Sequence, residues 1–371
     1  MHVLNVLQCT NLGGTEQGAF RLMQALRPYG HSSEVVSMHP AGRFVPKLEA
    51  ENIPVTALDY RGRFGWRSHL SVRRTFRKLQ ADCLIMHGPT LSGVLAVAPA
   101  CRGHRILSVH YHHQGVKPDW SWRRMYAMVN SRFQFVTFCS DYIRREAEAL
   151  YPALVGKTRT IMYPLTVPDL PEAGEKQTAR RRLGLPLDTR LVGNAGWLIP
   201  RKRFDVFLQV ASRVAARCPN AQFVIAGDGV ERANLERLAG ELGIASQIHW
   251  LGWQTDLTDF YHSLDVLEFN SDWDAMGLTC LEAASHAVPV VASVLNGGLS
   301  EVLGEASVLS SHDFDALADR CVQLLDSPQA AAEQGTAMRS LVATRCSPSA
   351  VAGQYDELLR RTFNSNGNGH A

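Results

Sequence analysis

DAMGLTCLEAASHAVPVVASVLNGGLSE, residues 274–301, reads as a loop, a helix opening at Gly277, a buried-type strand at 289–293 and a Gly-Gly-x-x-Glu turn. A helix that leads directly into an apolar, β-branched run belongs to a βαβ unit, and such units build parallel sheets covered on both faces. Two carboxylates of this stretch, Asp274 and Glu282, stand on either side of the helix start. With the unpaired N–H groups of the first helical turn they would face one side of the element, an arrangement suited to a sugar, a ribose and a diphosphate together.

Outward from this stretch the same pattern repeats. Short apolar strands are expected at 2–8, 33–39, 55–60, 83–87, 105–110, 134–139 and 158–162, with amphipathic helices such as 16–27, 68–80 and 141–150 between them. A Pro-rich, charged stretch then interrupts the alternation, and a second series of strands follows at 191–195, 222–226, 247–251, 266–269 and 289–293. The fold class is therefore α/β, with two doubly wound Rossmann-like domains. The expected boundaries are 1–165 for an acceptor-side domain, 166–187 for a linker carrying one short helix, and 188–346 for a donor domain. A helix at 347–364 is expected to pack back toward the N-terminal domain, ahead of a disordered tail at 365–371. Two such domains facing each other would bring the C-terminal ends of both sheets to one cleft, where open α/β sheets bind ligands.

The 371 residues exceed one ordinary core, and a hydrophobic content of 46% with 20% charged residues is that of a globular chain. A net charge of +3 is too small to imply a nucleic-acid partner. The eight cysteines lack Cys-x-x-Cys spacing and several lie in apolar runs, so they are expected to be reduced core residues in a cytoplasmic protein. The start MHVLNVLQC reads as a first strand, not as a signal peptide, and no run approaches a bilayer-spanning length.

Three features of 274–301 carry chemistry. Backbone N–H groups at Gly277, Leu278 and Thr279 can bind a phosphate at a helix start. Glu282, about a turn later, can accept two hydrogen bonds from a ribose diol. Asp274 is placed to accept from sugar hydroxyls, although an aspartate there can also serve as a helix cap together with Asp272. A second cluster, GWLIPRKRFD at 196–205, sets Lys202 between Arg201 and Arg203 just before a helix, where a cation can reach a diphosphate; the alternative is a solvated basic turn.

GWLIPRKRFD, VIAGDGVERANL, LGWQTDLTDFY, DAMGLTCLEA, PVVAS and NGGLSEV, in that order, resemble the donor domain of the retaining glycosyltransferases of family 4, which have the GT-B fold; the likeness covers nearly the whole chain. The resemblance implies a nucleotide-diphosphate sugar donor and a saccharide or lipid-linked saccharide acceptor, in polysaccharide or glycolipid assembly. It implies that Lys202 contacts the donor diphosphate, that Glu282 binds the ribose and that Asp274 reads the transferred sugar, with Arg201 and Met276 beside them. Gly13 and Gly14 match the family's N-terminal glycine loop, and His110 in ILSVHYHH matches a histidine that lies by the donor sugar. Catalysis would fall to His110, Lys202 and Asp274, with retention at the anomeric carbon and neither metal nor cofactor. His87, His112 and His113 lack the carboxylate partners of a metal site. Two positions depart from the pattern: Trp197 stands where the family usually has Arg, for which Arg201 or Arg203 would substitute, and Asp274 stands where it usually has Glu.

Residues 61–78 gather Arg61, Arg63, Arg67, Arg73, Arg74, Arg77 and Lys78 around Phe64, Trp66 and Phe76, and Trp120, Trp122, Arg123 and Arg124 form a second group. Both suit an anionic membrane surface, at ~1 kcal/mol per cation. They equally suit a solvated helix face whose Val72, Phe76 and Leu79 are core. The rival functions are a nucleotide-sugar epimerase or a phosphorylase of the same fold and a non-catalytic nucleotide-sugar-binding subunit. The absence of Gly-x-Gly-x-x-Gly after the first strand argues against a dinucleotide oxidoreductase.

Overall fold

The computed structural model describes residues 1–11, 13–60, 66–79, 81–99, 104–109, 118–304 and 307–364, and the chain divides into two compact units. One comprises Met1–Pro164 with Cys346–Ala371; the other is Leu165–Arg345.

The first unit is a seven-stranded parallel sheet of β1 (His2–Leu7), β2 (Ser32–Ser37), β3 (Val55–Ala57), β4 (Cys83–His87), β5 (His104–Val109), β6 (Phe135–Phe138) and β7 (Thr158–Thr160), in the order β3-β2-β1-β4-β5-β6-β7. Its helices are α1 (Gly14–Leu26), α2 (Val45–Ala50), α3 (Trp66–Lys78), α4 (Leu91–Val97), α5 (Asp119–Arg132) and α6 (Asp141–Leu150). The strand order reverses between β1 and β4, the place where such sheets bind ligands. Gly13 and Gly14 form the junction between β1 and α1 at this point.

The second unit opens with α7 (Glu175–Arg182), followed by β8 (Arg190–Ala195), α8 (Phe204–Arg217), β9 (Ala221–Ala226), α9 (Arg232–Glu241), β10 (Ile248–Gly252), α10 (Thr258–Ser263) and β11 (Val266–Ser271). It closes with α11 (Leu278–Ser285), β12 (Val290–Val294), α12 (Leu299–Leu303), β13 (Val308–Leu309), α13 (Phe314–Asp326) and α14 (Pro328–Cys346), and the sheet order is β10-β9-β8-β11-β12-β13. The switch point lies between β8 and β11. α8 has the amphipathic stripe that its spacing requires: Phe204, Phe207, Leu208, Ala211 and Val214 are buried under the sheet, while Arg213 and Arg217 pair with Asp315 and Asp319 of α13.

The stretch 166–187, read from sequence as a linker, lies in the second unit, and its helix α7 is anchored there. Arg180 is buried, donates to the carbonyls of Ser263, Leu187 and Thr189 at 2.8–2.9 Å, and pairs with Asp265 at 2.9 Å. A guanidinium takes such a position only where carbonyl and carboxylate oxygens satisfy its donors.

The last helix, α15 (Pro348–Asn364), belongs to the first unit. Val351, Ala352, Tyr355, Leu358 and Leu359 join a core cluster with Val3, Leu22 and Ile85, and the Tyr355 hydroxyl meets that of Thr137 at 2.9 Å. Tyr355→Phe leaves the buried Thr137 hydroxyl short of that partner and should cost about 1–2 kcal/mol. A urea midpoint equal to that of the wild type would contradict this.

On α3, Val72 and Phe76 are buried while Arg73, Arg74, Arg77 and Lys78 are exposed. Arg61, Arg63 and Phe64, and the side chains of Trp66 and Arg67, lie outside the described residues. Trp122, grouped from sequence with surface residues, is buried and stacks on Tyr126; Trp120, two positions earlier on α5, points outward with Arg123 and Arg124. No described helix is long and apolar enough to cross a membrane. Six of the free cysteines are buried and Cys9 is partly exposed, while Cys101 lies outside the described residues.

Candidate functional site

In the second unit, the loops after β8 and β11 flank the switch point, and two ion pairs join them, Lys202 to Asp274 and Arg203 to Asp272. The β8 loop is held by the β9 loop: Leu198 N donates to Asp228 O at 2.9 Å, and Glu231 N to Leu198 O at 3.0 Å. Only glycine allows this approach at Gly227, where a Cβ would sit 1.9 Å from Gly196 O. The loop then makes a single 3-10 turn, Pro200–Lys202, and enters α8 through Arg203, which takes a left-handed conformation (φ +44°). Two carboxylates hold Arg203 in that strained position, Asp205 and Asp272, each at 2.9 Å.

These constraints bring Lys202 Nζ onto Asp274 Oδ2 as an ion pair, both side chains largely buried, with the ammonium 4.9 Å above the Phe269 ring. Asp274 is fixed from two further directions. Its Oδ1 accepts from Gly277 N at 2.8 Å, and its backbone bridges to the 296–297 turn, with Asp274 N donating to Asn296 O at 3.0 Å. Burial pushes the Asp274 carboxyl up, but Lys202, the Gly277 N–H and Arg201 together outweigh it and hold the group below its ordinary value.

The expected anion site differs in one respect. The Gly277 N–H, read from sequence as available to a phosphate, is donated to Asp274, so the aspartate both caps α11 and pairs with the lysine. Leu278 and Thr279 form the first turn of α11, Met276 is buried, and Thr279 Oγ1 donates to Ala195 O at 3.3 Å at the end of β8. Glu282 lies further along α11, half-buried, with its Oε2 accepting from the Tyr261 hydroxyl at 2.9 Å. Tyr261 stacks on His286, whose ring centroid is 5.3 Å away. Burial, with His262 adjacent, pushes His286 down to about 4, so it is neutral at pH 7.

Arg201 and Arg203 do not stand open as replacements for the arginine missing at Trp197. Arg201 donates to Trp273 O at 2.7 Å, and Arg203 is held by its two carboxylates. Trp197 is exposed and packs against Trp253, centroids 4.4 Å apart.

In the first unit, Gly13 precedes α1, and a Cβ there would meet Glu16 Oε2 at 2.5 Å. Burial pushes the Glu16 carboxyl up. Glu16 carries no signal of its own in the sequence, because an acid in a first helical turn reads there as ordinary capping charge. His110, His112 and His113 lie outside the described residues. Tyr261 also escapes a reading by spacing, because its hydrogen bond to Glu282 joins two different helices. Among the described residues one trio, Glu175, Asp259 and His262, is close enough to share a metal, but Arg182 already bonds both carboxylates at 2.9 Å.

Comparison with known proteins agrees with this architecture. The profile described as Glycosyl transferases group 1 matches residues 175–340, and that described as Glycosyltransferase Family 4 matches residues 12–161. Among curated relatives, a D-inositol 3-phosphate glycosyltransferase of Mycolicibacterium paratuberculosis is 32% identical over 46% of this chain and 40% of its own length. A GDP-mannose-dependent monoacylated alpha-(1-6)-phosphatidylinositol monomannoside mannosyltransferase of Corynebacterium glutamicum is 26% identical over 64% of this chain and 65% of its own. The chain thus spans less than two thirds of the length of these relatives. Among solved structures, Anabaena Alr3699/HepE in complex with UDP-glucose superposes with a TM-score of 0.82 at 18% identity, covering 97% of this chain and 100% of that one. Sucrose-phosphate synthase from Thermosynechococcus elongatus gives 0.76 at 19% identity, covering 98% and 99%. Matched by glycosyltransferase profiles along both halves and sharing their two-sheet architecture, the chain belongs to the family 4 glycosyltransferases of GT-B fold.

Proposed function

We propose that this chain is a retaining, metal-independent hexosyltransferase that moves a sugar from a nucleotide-diphosphate sugar to a hydroxyl of a saccharide or lipid-linked saccharide. The observation that carries the reading is the Lys202–Asp274 pair at the β8/β11 switch point, with Glu282 on the helix that follows. A diphosphate is the natural competitor for Lys202. Its oxygens would draw the ammonium away from Asp274, and the carboxylate released would be left to accept from sugar hydroxyls. Glu282, oriented by Tyr261, would accept from the ribose diol. Catalysis would rest on positioning and on stabilising the departing diphosphate, with no nucleophile supplied by the protein. The relatives favour this class: one is named for inositol 3-phosphate, one for GDP-mannose and a phosphatidylinositol mannoside, and the HepE complex holds UDP-glucose.

Acceptor delivery at an anionic membrane surface is part of the proposal, supported by exposed Arg73, Arg74, Arg77, Arg123 and Arg124 and by exposed Trp120. Sedimentation with anionic vesicles at low salt tests it, and equal recovery with neutral vesicles would remove it.

The function itself is tested by nucleoside diphosphate release from a panel of UDP-, GDP- and ADP-sugars, with and without a mixed acceptor pool. Release that depends on acceptor supports a transferase. Conversion of the nucleotide sugar without acceptor would mean an epimerase, and binding without turnover a non-catalytic subunit.

A further inference from the structure

Beneath the loop that carries Asp274, β11 buries an acid without a charged partner. Glu268 is fully buried; its Oε2 meets the Asn270 side-chain amide at 2.8 Å, and its Oε1 has no hydrogen-bond partner. Leu267 is in register with Gly193, so the next residues, Glu268 and Asn194, are neighbours on adjacent strands. Asn194 is also fully buried, with neither end of its amide partnered. Cys280 of α11 and Cys321 of α13 are close enough to feel the Glu268 charge, and no cation pairs with it among the described residues.

From Asn270 a line of contacts leads outward. Asn270 Oδ1 meets Ser293 Oγ at 2.6 Å, Ser293 Oγ meets His312 Nδ1 at 2.5 Å, and His312 Nε2 meets Asp272 Oδ1 at 3.1 Å. Asp272 Oδ1 also receives Arg203 Nη1 at 2.9 Å, and Asp272 stands two residues before Asp274.

Proton accounting gives this line a direction. Ser293 has one hydroxyl proton and two partners. If it donates to Asn270, His312 must donate from both nitrogens and Glu268 Oε2 can only accept, which requires an imidazolium together with either a buried carboxylate or an acid whose hydroxyl is left without a partner at Oε1. If Glu268 holds the proton, a half-turn of the Asn270 amide lets every donor point outward. Glu268 then donates to Asn270, Asn270 to Ser293, Ser293 to His312 Nδ1, and neutral His312 from Nε2 to Asp272. Burial without a cation favours the second arrangement, pushing Glu268 up to about 8.

We propose that Glu268 is a positioning residue: as a neutral acid it sets the direction of the chain through Asn270, Ser293 and His312, and so holds the Asp272 end of the loop that carries Asp274. Its bearing on turnover rests on the function proposed above; the chain of contacts does not. When Glu268 loses its proton the chain must reverse. Neutral His312 then donates from Nδ1 to Ser293 and turns a bare Nε2 toward Asp272, so that contact is lost. The folded protein keeps a proton that the unfolded chain releases above the ordinary glutamate range. Stability from this group is therefore full below that range and falls as pH rises toward about 8.

The test is the tautomer of His312, read from long-range 1H–15N spectra on either side of pH 8 and assigned with a His312→Gln variant. The wild type should pass from Nε2–H to Nδ1–H as pH rises. Glu268→Gln, whose amide donates as the neutral acid does, should remain Nε2–H throughout, and Ser293→Ala should uncouple the tautomer from pH. In parallel, wild-type turnover should fall about tenfold per pH unit above the transition, the slope of one proton, and that limb should be missing in Glu268→Gln. The near-isosteric Glu268→Gln keeps the test open should Ser293→Ala not fold. A wild-type tautomer that does not change, or one that changes at the same pH in Glu268→Gln, overturns the proposal. Tautomer switching without turnover in any of the proteins would instead sink the proposed function and leave the positioning chain standing.

Discussion

Lys202→Ala is expected to lower turnover by about 10²-fold or more, the loss that follows removal of one preorganised charge-stabilising donor. The effect is large because the two arginines beside it are committed elsewhere, Arg201 to the Trp273 carbonyl and Arg203 to Asp205 and Asp272. Neither can move to the leaving group without releasing the loop it holds. The same substitution removes the cation that helps keep the Asp274 carboxyl below its ordinary value, so the carboxylate proposed to meet the sugar is disturbed as well. Rates are compared where circular dichroism shows the variant folded. Turnover within a few-fold of the wild type would remove Lys202 from the site.

Gly297→Ala should be nearly as severe although it changes no charge. A Cβ at Gly297 would lie 1.8 Å from Asp274 O, and its φ of +157° is one that residues with side chains rarely adopt. The loop and the turn must part, and Asp274 moves with its backbone. A shift on the order of 1 Å in a positioned group costs about 10²-fold in rate, and the strain should cost about 2–4 kcal/mol of stability. Gly240→Ala is the control. That residue lies in α9 with open space at its Cβ and should gain about 0.5–1 kcal/mol from helix propensity. Equal stability and rate in the two variants would contradict the role given to the 296–297 turn.

Local periodicity made much of this fold legible before any coordinate. The apolar stripe of α8 and the apolar runs of β9 and β12 are written in adjacent residues, and burial follows from them. The two-residue strand β13 carries too little pattern to be read, and Trp122 and Trp120 share a composition but lie on opposite faces of one helix. Asp274 and Lys202 each stood out from the type and order of their neighbours. That both serve one donor is what the family resemblance implies, but their direct ion pair is not legible, because it depends on the β8–β11 pairing that brings positions 72 residues apart together. Tyr261 and the line from Glu268 to Asp272 were hidden for the same reason: hydrogen bonds between elements leave no period in a sequence. Glu268 in particular sits in VLEFNS, where the apolar neighbours that identify the strand also bury the acid.

A structure of the protein with a bound nucleoside diphosphate decides most directly whether the β8/β11 switch point is the donor site. The diphosphate should lie within hydrogen-bonding distance of Lys202 Nζ, with the lysine drawn off Asp274 and the ribose hydroxyls on the Glu282 carboxylate. A nucleotide bound elsewhere, with Lys202 still paired to Asp274 and Glu282 untouched, would contradict it.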